Sequence, residues 1–315
     1  MYFPGAGIEL NPLNPPLMMF AISIFTSMGG VSGAFLLLPI QISLFGFTSP
    51  AVSSTNQLYN IFSIPSGLYN YIKEGRMVWQ LAYIVIFGTL PGVFIGTIIR
   101  VKYLPDPKNF KLFAGFVLLY IGSRLGKDLI KRFNKKESGS SEARFQELMK
   151  SYKHGKDPIS QKLPRVQIEK FNFSKLAYEF LGERYTVSVP IVFSISAVVG
   201  IVGGIYGIGG GAIMAPIFVA MFNLPVYTIA GAALLGTFIT SVAAVGFYHA
   251  IAPFFPGMQV SPDWLLGFLF GIGGFTGIFC GARLQKYFPA TFIKWMLACC
   301  ILFISLNYIC GFFLG

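Results

Sequence analysis

Eight long apolar segments follow one another along the chain, and they constrain its fold more than any other feature. The segments cover residues 17–46, 49–72, 78–99, 109–130, 188–222, 226–252, 264–284 and 291–314. A helix needs about 20 apolar residues to cross the hydrocarbon core of a bilayer. Only 11% of the 315 residues are charged, whereas an average soluble domain has about 25%. The sequence therefore predicts an all-α, multi-pass protein of the cell membrane and excludes a soluble globular protein.

A basic stretch separates the first four segments from the last four. Thirteen of the 24 Lys and Arg residues lie between Lys131 and Arg184. Such stretches are typical of the cytoplasmic side of membrane proteins, where they attract anionic lipid, so we expect a lipid partner and no nucleic acid. The predicted units are a first membrane repeat over 1–130, a basic cytoplasmic insert over 131–187 and a second membrane repeat over 188–315.

The two halves of the chain repeat each other. At an offset of 185 residues Trp79 aligns with Trp264, followed by two matching series of glycines spaced four apart. These glycine ladders are Gly88, Gly92 and Gly96 in the first half and Gly273, Gly277 and Gly281 in the second. Glycines four apart let two helix backbones approach closely in a membrane. We interpret the ladders as helix-packing surfaces, with an oligomer interface as the alternative.

The first segment of each half is interrupted at its centre by glycines and then a proline. The residues are Gly29, Gly30, Gly33 and Pro39 in the first half, and Gly203, Gly204, Gly207, Gly209, Gly210, Gly211 and Pro216 in the second. Each glycine disfavours a helix by about 1 kcal/mol. Backbone freed at membrane depth must be buried in protein or line a wet cavity, and paired interruptions in two repeats indicate a transport site. A pair of simple kinks is the alternative.

The distribution of basic residues bears on whether these breaks cross the membrane. If all eight segments cross, 17 Lys and Arg lie on one face and 7 on the other; if the broken segments are re-entrant hairpins, the split is 20 to 4. Cytoplasmic loops carry the excess of basic residues. The charges therefore favour re-entrant segments, which would make the halves inverted repeats and place the insert in the cytoplasm.

Neutral donors are the groups that we expect to bind an anion at the two breaks. The N-terminus of each half-helix presents backbone N–H groups and about half a positive charge. Polar side chains of the second and sixth segments would supplement them, because such residues at membrane depth face the protein interior. The candidate binding residues are Gly30, Gly33, Asn56, Gln57, Gly209, Gly210, Gly211, Thr237 and Ser241.

Charged and titratable residues are sparse inside the segments. Arg100 lies near a segment end, where we expect its long side chain to reach the interface. The two histidines, His154 and His249, are far apart and no pair of carboxylates lies within a segment, which disfavours an enzyme, a metal site and a cofactor. His249, near the end of the sixth segment, is the candidate residue for proton coupling.

These motifs resemble the sulfite exporter TauE/SafE family, also called the toluene sulfonate uptake permeases. The resemblance rests on the glycines that lead to Pro216, their diverged copy before Pro39, the polar second segment of each half, and Gly75 in the loop before Trp79. It covers both halves and implies transport of sulfite, sulfonates or related sulfur-containing anions. We expect an exporter that works as an electrogenic uniporter. The alternatives are a proton-coupled anion permease and a membrane scaffold or sensor that acts through the insert.

Overall fold

Helices make up most of the part of the chain that the structure describes. The computed structural model describes residues 1–28, 32–73, 75, 77–134, 166–180, 182–222, 224–284 and 290–314. Within these ranges the chain forms ten α-helices and two small antiparallel sheets. Five helices precede the insert and five follow it, in agreement with a mostly helical membrane protein.

The first apolar segment of each half is divided into two helices. The first half contains α1 (Asn14–Met28), α2 (Ala34–Ser43), α3 (Ala51–Lys73), α4 (Trp79–Lys102) and α5 (Pro107–Asn134). The second half contains α6 (Val189–Tyr206), α7 (Gly210–Phe222), α8 (Val226–Ile251), α9 (Trp264–Leu284) and α10 (Ala290–Leu314). Among the described helices, α4, α6, α8 and α9 are long and apolar enough to cross a membrane.

Left-handed glycines produce the break between α6 and α7. Gly207 has φ +89° and its N–H donates to Gly203 O at 2.9 Å, which ends α6. Gly209 has φ +76°, and α7 begins at the next residue. Residues that carry a side chain rarely adopt this left-handed backbone conformation, so both positions favour glycine. In the first half α2 begins after Gly33, whereas Gly30 lies outside the described residues.

Each glycine ladder packs against the broken segment of the other half. The ladder of α4 lies on α6, where a methyl group added at Gly92 would overlap Ala197 O. The ladder of α9 lies on α1, where a methyl group added at Gly277 would be 2.6 Å from Phe20 O. The close-packing interpretation is therefore confirmed within the chain, and these glycine faces are covered by the chain's own helices.

Two antiparallel helices, α3 and α8, lie between the broken segments. Gly67 of α3 lies beside Leu234 of α8. Gln57, which comes earlier on α3, contacts Ser241, which comes later on α8, so the two helices run in opposite directions. Helix α3 also contacts α2 and α9, while α8 also contacts α7 and α4. Helices α5 and α10 pack against each other. Residues that face inward from α3 and α8 therefore meet both breaks.

A three-stranded sheet occupies the second part of the insert. Its antiparallel strands are β3 (Gln167–Phe171), β4 (Lys175–Phe180) and β5 (Glu183–Ser188), in the order β3-β4-β5; a shorter hairpin, β1 (Tyr2–Phe3) and β2 (Ile8–Glu9), lies before α1. Leu176, Ala177, Tyr178 and Phe180 of β4 are buried, and Tyr178 Oη is 2.9 Å from Thr228 Oγ1 near the start of α8. Burial raises the pKa of the Tyr178 hydroxyl, against the opposite effect of that hydrogen bond. The sequence analysis did not anticipate this sheet, although alternation at Leu176, Tyr178 and Phe180 is a strand signal.

Candidate functional site

Three buried amide side chains project from α3 toward the centre of the bundle. Asn56, Gln57 and Asn60 have no exposed surface (0%). Position 60 is four residues after position 56 and three after position 57, so it is a neighbour of both on the helix surface and the three share one broad face. Buried amides must find hydrogen-bond partners, and in this chain the partners come from the two breaks. We call the region where these amides meet the breaks the junction.

Asn56 connects the two breaks directly. Its Nδ2 donates to Ala34 O at 2.9 Å, at the start of α2, and to Gly207 O at 3.0 Å, at the end of α6. Both partners are acceptors, so the amide nitrogen faces them and the amide oxygen faces Gln41. One side chain therefore joins the segments that the sequence analysis paired by repeat symmetry alone.

Gln57 and Asn60 extend this network to α8. Ser241 Oγ donates to Gln57 Oε1 at 2.7 Å, and Gln57 Nε2 donates to Gly203 O at 3.2 Å. Asn60 Nδ2 donates to Ile208 O at 3.1 Å and lies 3.4 Å from Ser241 Oγ. The structure thus brings three of the predicted residues, Asn56, Gln57 and Ser241, into one continuous network.

The predicted glycines of the second break fit between α4 and α8. A methyl group added at Gly210 would lie 2.6 Å from Thr89 Cβ on α4. One added at Gly211 would lie 2.6 Å from Thr237 N on α8, and one added at Gly209 would lie 2.8 Å from Thr237 Cγ2. Only glycine allows the start of α7 to approach both helices this closely.

The polar groups nearest this glycine turn already have partners within the protein. Thr237 Oγ1 donates to Ala233 O of its own helix at 2.9 Å. Gly210 N donates to Thr240 Oγ1 at 3.3 Å, and Ala34 N, at the start of α2, donates to Ser32 Oγ at 3.3 Å. The first amide of each half-helix is therefore capped by a side chain.

The first break reaches the junction through Gly33. A methyl group added there would lie 2.7 Å from Tyr59 Oη and 3.3 Å from Ser23 Oγ, which are themselves 3.1 Å apart. Ser32 Oγ donates to Asn60 Oδ1 at 3.5 Å. Helix α3 therefore contacts both breaks with neighbouring residues.

His249 lies away from the junction. It is exposed in the last turn of α8, where Nδ1 is 2.8 Å from Ser261 Oγ and the ring meets Trp264 edge-on at 5.9 Å. Eight residues separate it from Ser241, or about 12 Å along the helix. The histidine is thus at the end of the bundle, and its coupling role stays a prediction.

The sequence analysis did not place two buried polar residues, Gln41 and Arg100, near the junction. Gln41 has no exposed surface, its Nε2 donates to Asn56 Oδ1 at 3.5 Å, and its Oε1 has no donor among the described residues. A glutamine within an apolar run is a signal that could have identified it. Arg100 is also fully buried (0%), so the expectation that it reaches the interface is wrong.

The comparisons with known proteins identify the family. The sequence model described as sulfite exporter TauE/SafE matches residues 16–308, which include both halves and the insert. The chain is also 24% identical over 226 residues to the probable membrane transporter protein YunE of Bacillus subtilis (strain 168), covering 69% of this chain and 70% of that protein. No solved structure matches the chain. This chain belongs to the sulfite exporter TauE/SafE family and is a multi-pass membrane transporter.

Proposed function

We propose that the chain transports small sulfur-containing anions, such as sulfite or organosulfonates, and that they bind at the junction. The observation that carries the proposal is the Asn56 amide, which donates to both breaks. The family's description as sulfite exporters supports the substrate class. The binding residues in this proposal are those predicted from the sequence, with Gly30 included although it lies outside the described residues.

Hydrogen-bond exchange is the mechanism that we propose for binding. The amide groups of Asn56 and Gln57 donate to backbone carbonyls of the breaks. An oxyanion is a stronger acceptor than a carbonyl, so a small movement of either break would transfer these donors to the substrate. Neutral donors hold an anion weakly enough for release, which a transport site requires.

A panel of labelled anions tests the substrate class. Purified protein in liposomes is assayed for uptake of radiolabelled sulfite, sulfate, thiosulfate, sulfoacetate and taurine. We expect sulfite or a sulfonate to be taken up faster than in protein-free liposomes. Equal rates with and without protein for every compound would refute the proposal.

We propose further that both broken segments are re-entrant and that the halves are inverted repeats. In support, both ends of the second broken segment lie near the start of α8. The sheet that precedes α6 contacts Thr228 there, and α7 ends just before α8 begins. Likewise α2 leads into the start of α3, whose Ala51 N donates to Gln259 O in the loop before α9. Because α3 and α8 are antiparallel, the two hairpins would enter from opposite faces.

This arrangement predicts the accessibility of introduced cysteines. In a background without Cys280, Cys299, Cys300 and Cys310, we expect Phe173→Cys in the insert and Lys286→Cys after α9 to react from the cytoplasmic face. Tyr103→Cys, which follows α4, should react from the opposite face. Impermeant maleimide applied to whole cells and to inverted vesicles measures both. Labelling of the first two cysteines from opposite faces would restore eight full crossings.

The transport energetics follow from the scarcity of carboxylates. Apart from Asp128 near the end of the fourth segment, no Asp or Glu lies in the eight segments, and a proton-driven carrier normally has one. We therefore propose an electrogenic uniport that exports anions from a negative interior. A potential of 100 mV drives each charge by about 2.3 kcal/mol, so a divalent anion could reach a concentration ratio above about a thousand.

Liposome experiments separate uniport from proton coupling. We expect the flux to follow an imposed potassium-diffusion potential and to ignore a pH gradient when substrate protonation is held constant. The alternative is a flux that tracks the pH gradient at zero potential and disappears in His249→Ala. That result would make the protein a proton-coupled permease.

A further inference from the structure

Arg100 is a charged side chain buried in the last turn of α4. Its guanidinium donates from Nε to Ser53 Oγ at 3.2 Å, from Nη1 to Leu104 O, and from Nη2 to Ser49 O at 3.4 Å. The Phe110 ring centroid is 3.7 Å from Cζ. These four contacts hold the guanidinium in position.

No acidic side chain compensates this charge in the described part of the chain. Among the described residues Arg184 pairs with Glu169, and Arg100 forms no ion pair with any of them. A guanidinium has five N–H donors and stays protonated in proteins, so two of its donors have no described acceptor. Burying a charge is costly unless it is paired, and a site that keeps an unpaired cation favours an anion beside it.

Ser53 connects Arg100 to the second break. Its hydroxyl accepts from Arg100 and donates to Ile205 O at 2.9 Å, in the last turn of α6. Ser53 lies three residues before Asn56 on α3, or about 4.5 Å along the helix axis. The charge therefore lies close to the junction, toward the C-terminal end of α4. The next helix, α5, begins near that end, and the insert follows the other end of α5.

We propose that Arg100 is an anion-binding residue that forms a second station for a small oxyanion, between the junction and the C-terminal end of α4. The identity of the anion rests on the proposed function. Planar guanidinium donors match two oxygens of a sulfite, sulfate or sulfonate group. The positive charge offsets the cost of bringing an anion into the low-dielectric interior and excludes cations. The junction supplies neutral donors, and Arg100 supplies the charge.

Capping of α4 is the structural role that the test must separate from anion binding, since Arg100 donates to Leu104 O. Arg100→Lys keeps the charge and loses the planar fork, whereas Arg100→Met keeps much of the volume and loses the charge. Phe110→Leu is the matched control, because it removes the ring against the guanidinium and leaves the charge in place. If Arg100→Met does not insert, Arg100→Gln replaces it.

Two measurements on purified protein test the proposal. The first is the initial rate of sulfite uptake into liposomes, and the second is thermal stabilisation of the detergent-solubilised protein by sulfite, sulfate and nitrate. We expect Arg100→Met to lose at least about tenfold in uptake rate and to lose the anion-dependent stabilisation. Arg100→Lys, which keeps the charge without the fork, should lose less of both than Arg100→Met, and Phe110→Leu should retain most of both. The loss should be larger for divalent sulfate than for monovalent nitrate in the stabilisation assay.

The outcomes distinguish this proposal from the function on which it rests. Uptake and stabilisation that are unchanged in Arg100→Met, or lost equally in Arg100→Lys, would refute anion binding by Arg100 and leave the proposed function intact. Anion stabilisation that depends on Arg100, in a wild type that transports no sulfur oxyanion, would support the station and refute the substrate. A wild type that neither transports nor is stabilised would refute both.

Discussion

Replacing Gly210 with valine is expected to abolish transport while the protein still inserts into the membrane. The first added carbon would lie 2.6 Å from Thr89 Cβ, so α7 would have to move away from α4. Overpacking of this kind costs about 1 to 3 kcal/mol, and it would displace the hydrogen bond from Gly210 N to Thr240. Uptake of labelled sulfite into liposomes, normalised to inserted protein, measures the effect.

Gly33→Val should have the same effect at the first break, because the added carbon would lie 2.7 Å from Tyr59 Oη. Gly246→Val is the matched control, since a methyl group at that exposed position of α8 meets no atom within 4 Å. Normal uptake by both break variants, with normal insertion, would reduce the breaks to simple kinks and remove the glycines from the proposed site.

Asn56→Leu is expected to eliminate transport and also to destabilise the bundle. The variant removes both donors that hold Ala34 O and Gly207 O. Each of these buried hydrogen bonds contributes about 0.5 to 1.5 kcal/mol, and without them the two breaks would no longer be held together at the junction. The melting temperature of the purified protein and its sulfite uptake should fall together.

Asn56→Asp tests the chemistry of the same position with little change in volume. A carboxylate cannot donate to the two carbonyls and would repel an anion. We expect it to transport no better than Asn56→Leu. Ser54→Ala is the matched control: Ser54 is buried on the same helix, but its hydroxyl bonds to Ala51 O and Val260 O, away from the junction. Wild-type uptake by Asn56→Asp would exclude the amide from anion binding.

The break and the ladders were predictable because their causes are local. Glycine lacks the side chain that would stabilise a helix or block a close approach, so a run of glycines before Pro216 predicts the interruption observed at Gly207. The burial of Asn56 and Gln57 was also predictable, since amides in an apolar segment must face the protein interior. In these cases the residue type alone carries the physical argument.

Other features depend on partners far away in the chain. The insert sheet has a local signal at Leu176, Tyr178 and Phe180, yet its attachment depends on Thr228. Whether Arg100 reaches solvent or is buried depends on Ser53 and Phe110, which belong to other helices. Position near a segment end therefore could not reveal the environment of this side chain.

By itself the sequence determined the membrane class, the paired breaks, the ladders and the polar residues of α3, because each follows from hydrophobicity or from the backbone freedom of glycine. Only the tertiary structure decided that each ladder lies on the broken segment of the other half, that Asn56 joins the two breaks, and that Arg100 is buried without an acidic partner among the described residues. The contacts of the ladders, and the contact of Asn56 with Gly207, join residues that are more than 100 positions apart in the sequence. Their geometry depends on how the helices pack, since the same donors and glycines could meet different partners in a different arrangement of the bundle.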